Sequence, residues 1–387
     1  MKMTAQREVF HIAAKAKLLT PQADGADQLL KALGSGLSLR ASPLAKTPLI
    51  ATQSAVQVVM CESSGSTGAP KLIRRTPSSW RASFEINKAL LGVTPDDTYA
   101  VLGHLGHSIS LYAATEALHI GADLAILSGH TPAQQASALR EHEASLLYAT
   151  PSQLRLLIAA DGAVFPKITR LICGGGALGA GLQARLPDQF PAARVIEFFG
   201  ASETSFISMS DAATPDKSVG KAYPGVDIHI DAPLDEVGEI WVKSPYLFAG
   251  YEEGDSPLTR WKGGYLAIGE MGLLDADGYL YLRGRRSRMV TVADQNVFPE
   301  AIESCLMAQP GVSAAAVIPV ADPLRGHHIV AVVQGVADET ALRQACRATL
   351  GAAAAPRSFW YRDNIPLLPA GKPDLKLLQR LWQERNA

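Results

Sequence analysis

From Val56 onward the chain alternates short apolar runs with longer stretches whose apolar residues recur at helical spacing. TYAVLG (98–103), DLAILS (123–128), SLLYAT (145–150), TRLICGG (169–175) and RVIEFFG (194–200) have strand length and read as buried strands. Between them, TPAQQASALREHE (131–143) and PSQLRLLIAA (151–160) place apolar residues on one face of a helix. This β/α alternation predicts a parallel sheet flanked by helices. Ligand loops are then expected at the carboxyl ends of the strands.

After Gly220 the texture changes. VDIHI, GEIWVKS and GLLDADGYLYLRG alternate in polarity and turn at Asp-Ala-Asp-Gly, which predicts hairpins and a β-subdomain over 220–285. Beyond Arg285, VFPEAIESCLMAQPGV reads as a helix opened by proline, AAAVIPV and HHIVAVVQGV as strands, and ETALRQACRATLG as a second helix. The expected fold class is therefore α/β. A large domain, 1–285, has parallel β/α layers plus the β-subdomain, and a small α+β domain, 286–387, follows a hinge at 285–288. Residues 1–50 read as helix and loop.

The 387 residues exceed one ordinary core, and a hydrophobic content of 47% is ample for packing them. A formal net charge of −1 points to neither a nucleic-acid partner nor an anionic membrane. Cys61, Cys173, Cys305 and Cys346 lie far apart without a CxxC pair, which argues against a zinc site or disulfide framework and fits a reducing compartment. No apolar run reaches membrane-span length, and the N-terminus lacks the apolar stretch of a signal peptide. The expected location is the cytoplasm.

Four segments carry candidate chemistry. ESSGSTGAPK (62–71) follows the apolar strand SAVQVVMC and offers glycines, hydroxyls and a lysine, the makings of a phosphate cradle or equally of a surface loop. Pro70 and Leu72 around Lys71 disfavour a Walker loop, which needs Gly-Lys-Ser/Thr opening a helix. EFFGASE (197–203) ends a strand with a carboxylate suited to magnesium or simply to solvent. GYLAIGEMGLLDADGYLYLRGR puts Glu270 and Arg285 at the two ends of a hairpin, and LPAGKPDLK holds Lys372 in a Pro/Gly loop.

Taken in order, these segments resemble the motifs of the acyl-adenylate-forming superfamily, which includes AMP-forming acyl-CoA synthetases, adenylation domains and luciferases. ESSGSTGAPK is similar to its phosphate loop, FFGASE to its Tyr-Gly-x-Thr-Glu motif and AIGEMGLLDADGYLYLRGR to its Thr-Gly-Asp…Gly-Arg hairpin. VFPEAIE resembles the start of its C-terminal domain, and LPAGKPDLK its terminal Gly-Lys loop. The likeness runs from about Ala55 to Leu378.

The resemblance implies that Ser64, Gly65, Ser66, Thr67, Gly68 and Lys71 hold the β- and γ-phosphates of ATP. Glu203 then binds Mg2+, and Ser202 stands near the α-phosphate. Gly174, Gly175 and Gly176 border the adenine with Glu197, Phe198, Phe199 and Gly200. Glu270 and Arg285 contact the ribose. His107 stands at the entrance of the acyl pocket, with His104 as its competitor, and Lys372 bridges the carboxylate and the α-phosphate. The implied reaction activates a carboxylic acid, aryl or apolar, to an acyl-adenylate with release of pyrophosphate. Thioester transfer follows, to CoA or to the phosphopantetheine of an acyl or aryl carrier protein. Transfer to an amine or alcohol, and a non-catalytic nucleotide- or acyl-binding module, are the competing expectations.

The sequence also departs from the family. The phosphate loop starts at Glu62, so the N-terminal region is shortened and a homodimer partner is expected to compensate. Glu270 replaces an aspartate. In the hinge, which swings the small domain in the family, Arg288 occupies the pivot, Thr291 replaces a lysine and Asp294 a glycine.

Overall fold

The computed structural model describes residues 9–63, 70–368 and 373–386. The N-terminal stretch, expected as helix and loop, forms α1 (Ala26–Ser35) and two four-residue strands, β1 (Ser38–Ala41) and β2 (Leu49–Thr52). β1 reads SLRA, polar at two of its four positions, so no continuous apolar run marks it. β1 runs parallel to β3 (Val59–Ser63), the strand read ahead of the Gly-rich loop. β3 pairs antiparallel with β4 (Lys71–Arg75), with Ser63 opposite Lys71.

Helix α2 (Pro77–Leu91) leads into the seven-stranded sheet. Each apolar run becomes one of its strands: β5 (Thr98–Val101), β6 (Asp123–Ile126), β7 (Leu146–Ala149), β8 (Arg170–Cys173) and β9 (Arg194–Ala201). They lie parallel in the order β9-β8-β7-β5-β6, and β10 (Ser205–Met209) returns antiparallel beside β9. The connections are helical: α3 (Ser108–Ile120), α4 (Pro132–Glu141) and α5 (Pro151–Asp161). α2, α4 and α5 each start at a Thr-Pro pair, where proline costs no helical hydrogen bond. Thr131 and Thr150 cap their helices by accepting the N–H of Gln134 and Gln153, whose side chains reach back to the threonine N–H.

Strand periodicity explains the core. Tyr99, Val101, Leu146 and Tyr148 join one apolar cluster, and Ala100, Leu102, Leu147 and Ala149 join another. Successive side chains point to opposite faces, so the sheet is covered on both.

The 220–285 region supplies antiparallel strands, among them Asp227–Ile230, Gly238–Lys243 and the hairpin Tyr265–Leu274/Leu280–Arg285. The strand Gly250–Glu253 leaves this region to pair with β4. A further five-stranded sheet is drawn from Val290 to Tyr361 and carries the helices Pro299–Met307 and Glu339–Leu350. Those two helices bring Cys305 and Cys346 into contact, although the cysteines are distant in sequence. Burial and the neighbouring thiol push Cys346 up to about 12, so it is an inert core thiol. Among the described residues no helix is long and apolar enough to cross a membrane.

Candidate active site

Lys71 opens β4, and Glu203 lies in the turn between β9 and β10. The strand Gly250–Glu253 joins them through one side chain. The Tyr251 ring lies beneath Lys71, whose Nζ is 5.7 Å from its centroid, and its hydroxyl donates to Glu203 Oε1 at 3.0 Å. The same hydroxyl sits 2.8 Å from Thr259 Oγ1. Burial and the adjacent Glu203 carboxylate raise the Tyr251 phenol, so it stays a donor at neutral pH. Tyr251 thus meets both the Lys71 cation and the Glu203 carboxylate, and its hydroxyl orients the carboxylate.

The turn that carries Glu203 is fixed from several sides. Gly200 pairs with Phe206, and a Cβ on Gly200 would stand 2.0 Å from the Ser205 carbonyl oxygen, so only glycine fits. Thr204 Oγ1 accepts the Ala201 N–H at 3.0 Å, and the Glu203 carbonyl accepts the Phe248 N–H at 2.8 Å. Beneath the turn lies Arg75, 1% exposed, donating from Nε to the Ser202 carbonyl at 2.9 Å and from Nη1 to the Tyr246 carbonyl at 2.7 Å. Neither Arg75 nor Tyr251 was singled out in the sequence. For Arg75 the available signal was the alternation of KLIRR, which puts Arg75 on the face of Ile73, a core position.

At the end of β8, Gly174 abuts the Phe198 ring; a Cβ there would meet Phe198 Cζ at 2.3 Å. Phe198 packs edge-on to Phe206, with ring centroids 4.7 Å apart, while Phe199 turns to the other face and joins a different cluster. Glu197 accepts the Leu178 N–H at 3.0 Å and so ties the Gly174–Gly175–Gly176 loop to β9; burial raises its carboxyl above the usual range. His104 and His107 occupy the loop after β5, joined by the His107 N–H to the His104 carbonyl at 3.0 Å. Burial, with His104 beside it, lowers His107, leaving a neutral imidazole at the start of α3. His104 Nδ1 is buried without a hydrogen-bond partner among the described residues.

Glu270 and Arg285 are directly opposed cross-strand neighbours, with Arg285 Nε 3.0 Å from Glu270 Oε1. Gly269, next to Glu270, abuts Leu258, and Leu258 precedes the Thr259 that touches Tyr251. Past the hairpin, Arg288 pairs with Glu303 at 2.8 Å and with Glu300 at 3.5 Å, both on Pro299–Met307. Asp294 and Ala293 form the turn of a short hairpin at φ 62 and 48, a left-handed conformation better suited to Asn-Gly. Ser64, Gly65, Ser66, Thr67, Gly68 and Lys372 lie outside the described residues.

The donor set fits a hard cation. Glu203 keeps one carboxylate oxygen without a hydrogen bond among the described residues. Magnesium typically takes one or two carboxylates and completes its shell from phosphates and water. No cluster of three or more potential metal-binding side chains occurs among the described residues.

The family model for AMP-binding enzyme matches residues 13–252, and that for the AMP-binding enzyme C-terminal domain matches residues 301–372. The chain belongs to the AMP-binding enzyme family. Lys71, Arg75, Glu203 and Tyr251 all fall within the first matched span. Relatives of this AMP-binding enzyme include the uncharacterized acyl–CoA ligase YhfT of Bacillus subtilis, 32% identical across 80% of this chain and 65% of the relative. The 2-succinylbenzoate–CoA ligase of Bacillus velezensis is 27% identical across 78% of this chain and 64% of its own length. The chain therefore spans just under two thirds of these relatives.

Among solved structures, the amide bond synthetase McbA of Marinactinospora thermotolerans superposes with a TM-score of 0.74 at 26% identity, over 87% of this chain and 72% of that one. The o-succinylbenzoate CoA synthetase of Bacillus subtilis, in complex with its acyl-adenylate intermediate, gives 0.75 at 24% identity, over 83% and 68%. The α/β fold is that of adenylate-forming enzymes.

Proposed function

We propose that the protein is an ATP-dependent, AMP-forming acid–thiol ligase. A carboxylate attacks the α-phosphorus of ATP, releasing pyrophosphate and leaving an acyl-adenylate. The thiol of CoA or of a carrier-bound phosphopantetheine then attacks the acyl carbon and releases AMP. The observation that carries this reading is the convergence of Lys71 and Glu203 on Tyr251, inside the matched AMP-binding span.

Charge moves onto the leaving pyrophosphate, so positioning and cationic stabilisation dominate, as in phosphoryl transfer. Lys71 and the hydroxyls of Ser64, Ser66 and Thr67 hold the β- and γ-phosphates. Glu203, aimed by the Tyr251 hydroxyl, would hold Mg2+, which when bound neutralises phosphate charge. Lys372 approaches the carboxylate and α-phosphate as residues 286–387 close on residues 1–285. Gly174, Gly175 and Gly176, with Phe198 and Phe199, border the adenine and acyl sites. Glu270 and Arg285 meet the ribose, which competes for the ion pair they make with each other. The apolar, aromatic surround of Phe198 and Phe206 suits an aryl or apolar acid. The protein works in the cytoplasm as a homodimer.

The test is acid-dependent ATP–pyrophosphate exchange across aryl and aliphatic acids. Lys372→Ala lowers that exchange by about two orders of magnitude with ATP affinity nearly intact. A wild-type rate in that variant removes Lys372 from the mechanism. Silence of the wild type across a broad panel favours a non-catalytic binding module. Transfer to an amine is the second reading, favoured by the likeness to an amide bond synthetase. Offering CoA and an amine together and identifying the acylated product decides between them.

A further inference from the structure

Among the described residues of the site, Arg75 is the fully buried side chain that bears a permanent charge, and the reaction above gives it no part. It lies at 1% exposure, and no carboxylate pairs with it among the described residues. Burial lowers its guanidinium only to about 10, so the charge persists at neutral pH. Taking an unpaired cation out of water is costly, and apolar side chains of similar volume often fill such a space as well or better. Packing alone therefore does not account for an arginine here.

Its hydrogen bonds do. Nε reaches the Ser202 carbonyl, which belongs to the peptide that enters Glu203; Nη1 reaches the Tyr246 carbonyl and, at 3.3 Å, Ser79 Oγ. Phe248, two residues beyond Tyr246, donates its N–H to the Glu203 carbonyl. These contacts close a ring running from Arg75 through Ser202 and Glu203 to Phe248 and Tyr246, and back. Lys71, on the same face of β4, is four residues away, about 13 Å at strand rise. One guanidinium thus sets the height of the Glu203 turn relative to the strand that carries Lys71. Its remaining nitrogen, Nη2, is buried and unbonded among the described residues, and the Glu203 carboxylate lies within reach of its charge.

We propose that Arg75 is a positioning residue, whose buried unpaired guanidinium braces the Ser202–Glu203 peptide so that the Glu203 carboxylate meets the cation on ATP. The inference rests on the ligase reading above. Arg75→Lys keeps the charge and a bond to one carbonyl but cannot bridge Ser202 and Tyr246 as a fork does. Thermal unfolding of wild type and Arg75→Lys is followed without ligand, with ATP plus EDTA, and with ATP plus Mg2+; pyrophosphate exchange is then titrated with Mg2+.

The expected result is a ligand-free midpoint within a few degrees of wild type and an unchanged shift with metal-free ATP. The additional shift produced by Mg2+ is lost, and half-saturating Mg2+ rises about 10-fold, the lower end of effects seen when a group supporting a metal ligand is removed. Arg75→Met, lacking both charge and fork, is expected to show the same loss more strongly. If Arg75→Lys responds to Mg2+ as wild type does, whatever its midpoint, the arginine only holds the fold and the proposal fails. If wild type itself shows neither a Mg2+-dependent shift nor exchange, the ligase reading fails, and this inference with it.

Discussion

Glu116, in the middle of α3, is fully buried and gives the core a pH dependence that one substitution isolates. Four donors surround it from three helices and strands besides its own turn: Asn87 Nδ2 at 2.7 Å, Tyr148 at 2.8 Å, Tyr112 at 3.2 Å and Tyr99 at 3.3 Å. Asn87 is itself fixed by the Tyr223 hydroxyl at 2.7 Å. No cation forms an ion pair with Glu116 among the described residues. Burial therefore outweighs the hydrogen bonds and pushes its carboxyl from 4.5 up to about 7. Between those values the folded protein holds a proton that the unfolded chain has released. Stability from this group is thus full below about pH 4.5, falls as pH rises toward 7 and stays low above it. The displacement corresponds to about 3 kcal/mol.

Glu116→Gln keeps the shape and does not titrate. Its oxygen can still accept from Asn87 and Tyr112, and its NH2 can donate to the Tyr99 and Tyr148 hydroxyls, which turn to accept. Urea unfolding of both proteins from pH 5 to pH 8 should give stabilities within about 1 kcal/mol of each other at pH 5, and a Gln variant stronger by about 3 kcal/mol at pH 8. His119 works in the opposite direction: burial beside His11 and Arg81 lowers it from 6.5 to about 4, so its contribution is lost as pH falls through that window. It is the same in both proteins and cancels in their difference. A stability difference that stays constant from pH 5 to pH 8 would refute the reasoning.

Tyr251→Phe keeps the ring beneath Lys71 and deletes the donor to Glu203. Half-saturating Mg2+ in pyrophosphate exchange should rise about 10-fold, with ligand-free melting little changed; an unaltered Mg2+ titration would free Glu203 of its dependence on the phenol. Gly174→Ala places a methyl against the Phe198 ring, which must shift away from its seat beside Phe206. Calorimetry should register a loss of about 1–3 kcal/mol, together with a changed preference among acids of different bulk; wild-type values in both would mean that the ring moves freely.

What the sequence makes legible is local, and what it hides is held by distant partners. The runs that became β5 to β8 announce themselves because burial on both faces needs nearly every residue to be apolar. Thr131-Pro132 and Thr150-Pro151 mark helix starts because a cap is satisfied within three residues. The Gly-rich loop and Glu203 motifs are equally local, since each is a short run of sequence with its own recognisable residues. Arg75 and Tyr251 have no such signature. Arg75 takes its meaning from Ser202, 127 residues on, and from Tyr246, 171 residues on. Tyr251 takes its meaning from a strand pairing that returns the chain to β4 after crossing the whole parallel sheet. Cys305 and Cys346, distant in sequence and unbridged, meet for the same reason, because two helices close the distance between them. The opposed pair Glu270 and Arg285 shows the intermediate case: the turn was visible, but only the register reveals that the two charges face each other. A motif can therefore name the atoms that touch a substrate, while the groups that aim those atoms are set by pairing. In this chain the aiming groups are a buried cation and a phenol, either of which would read as ordinary strand residues.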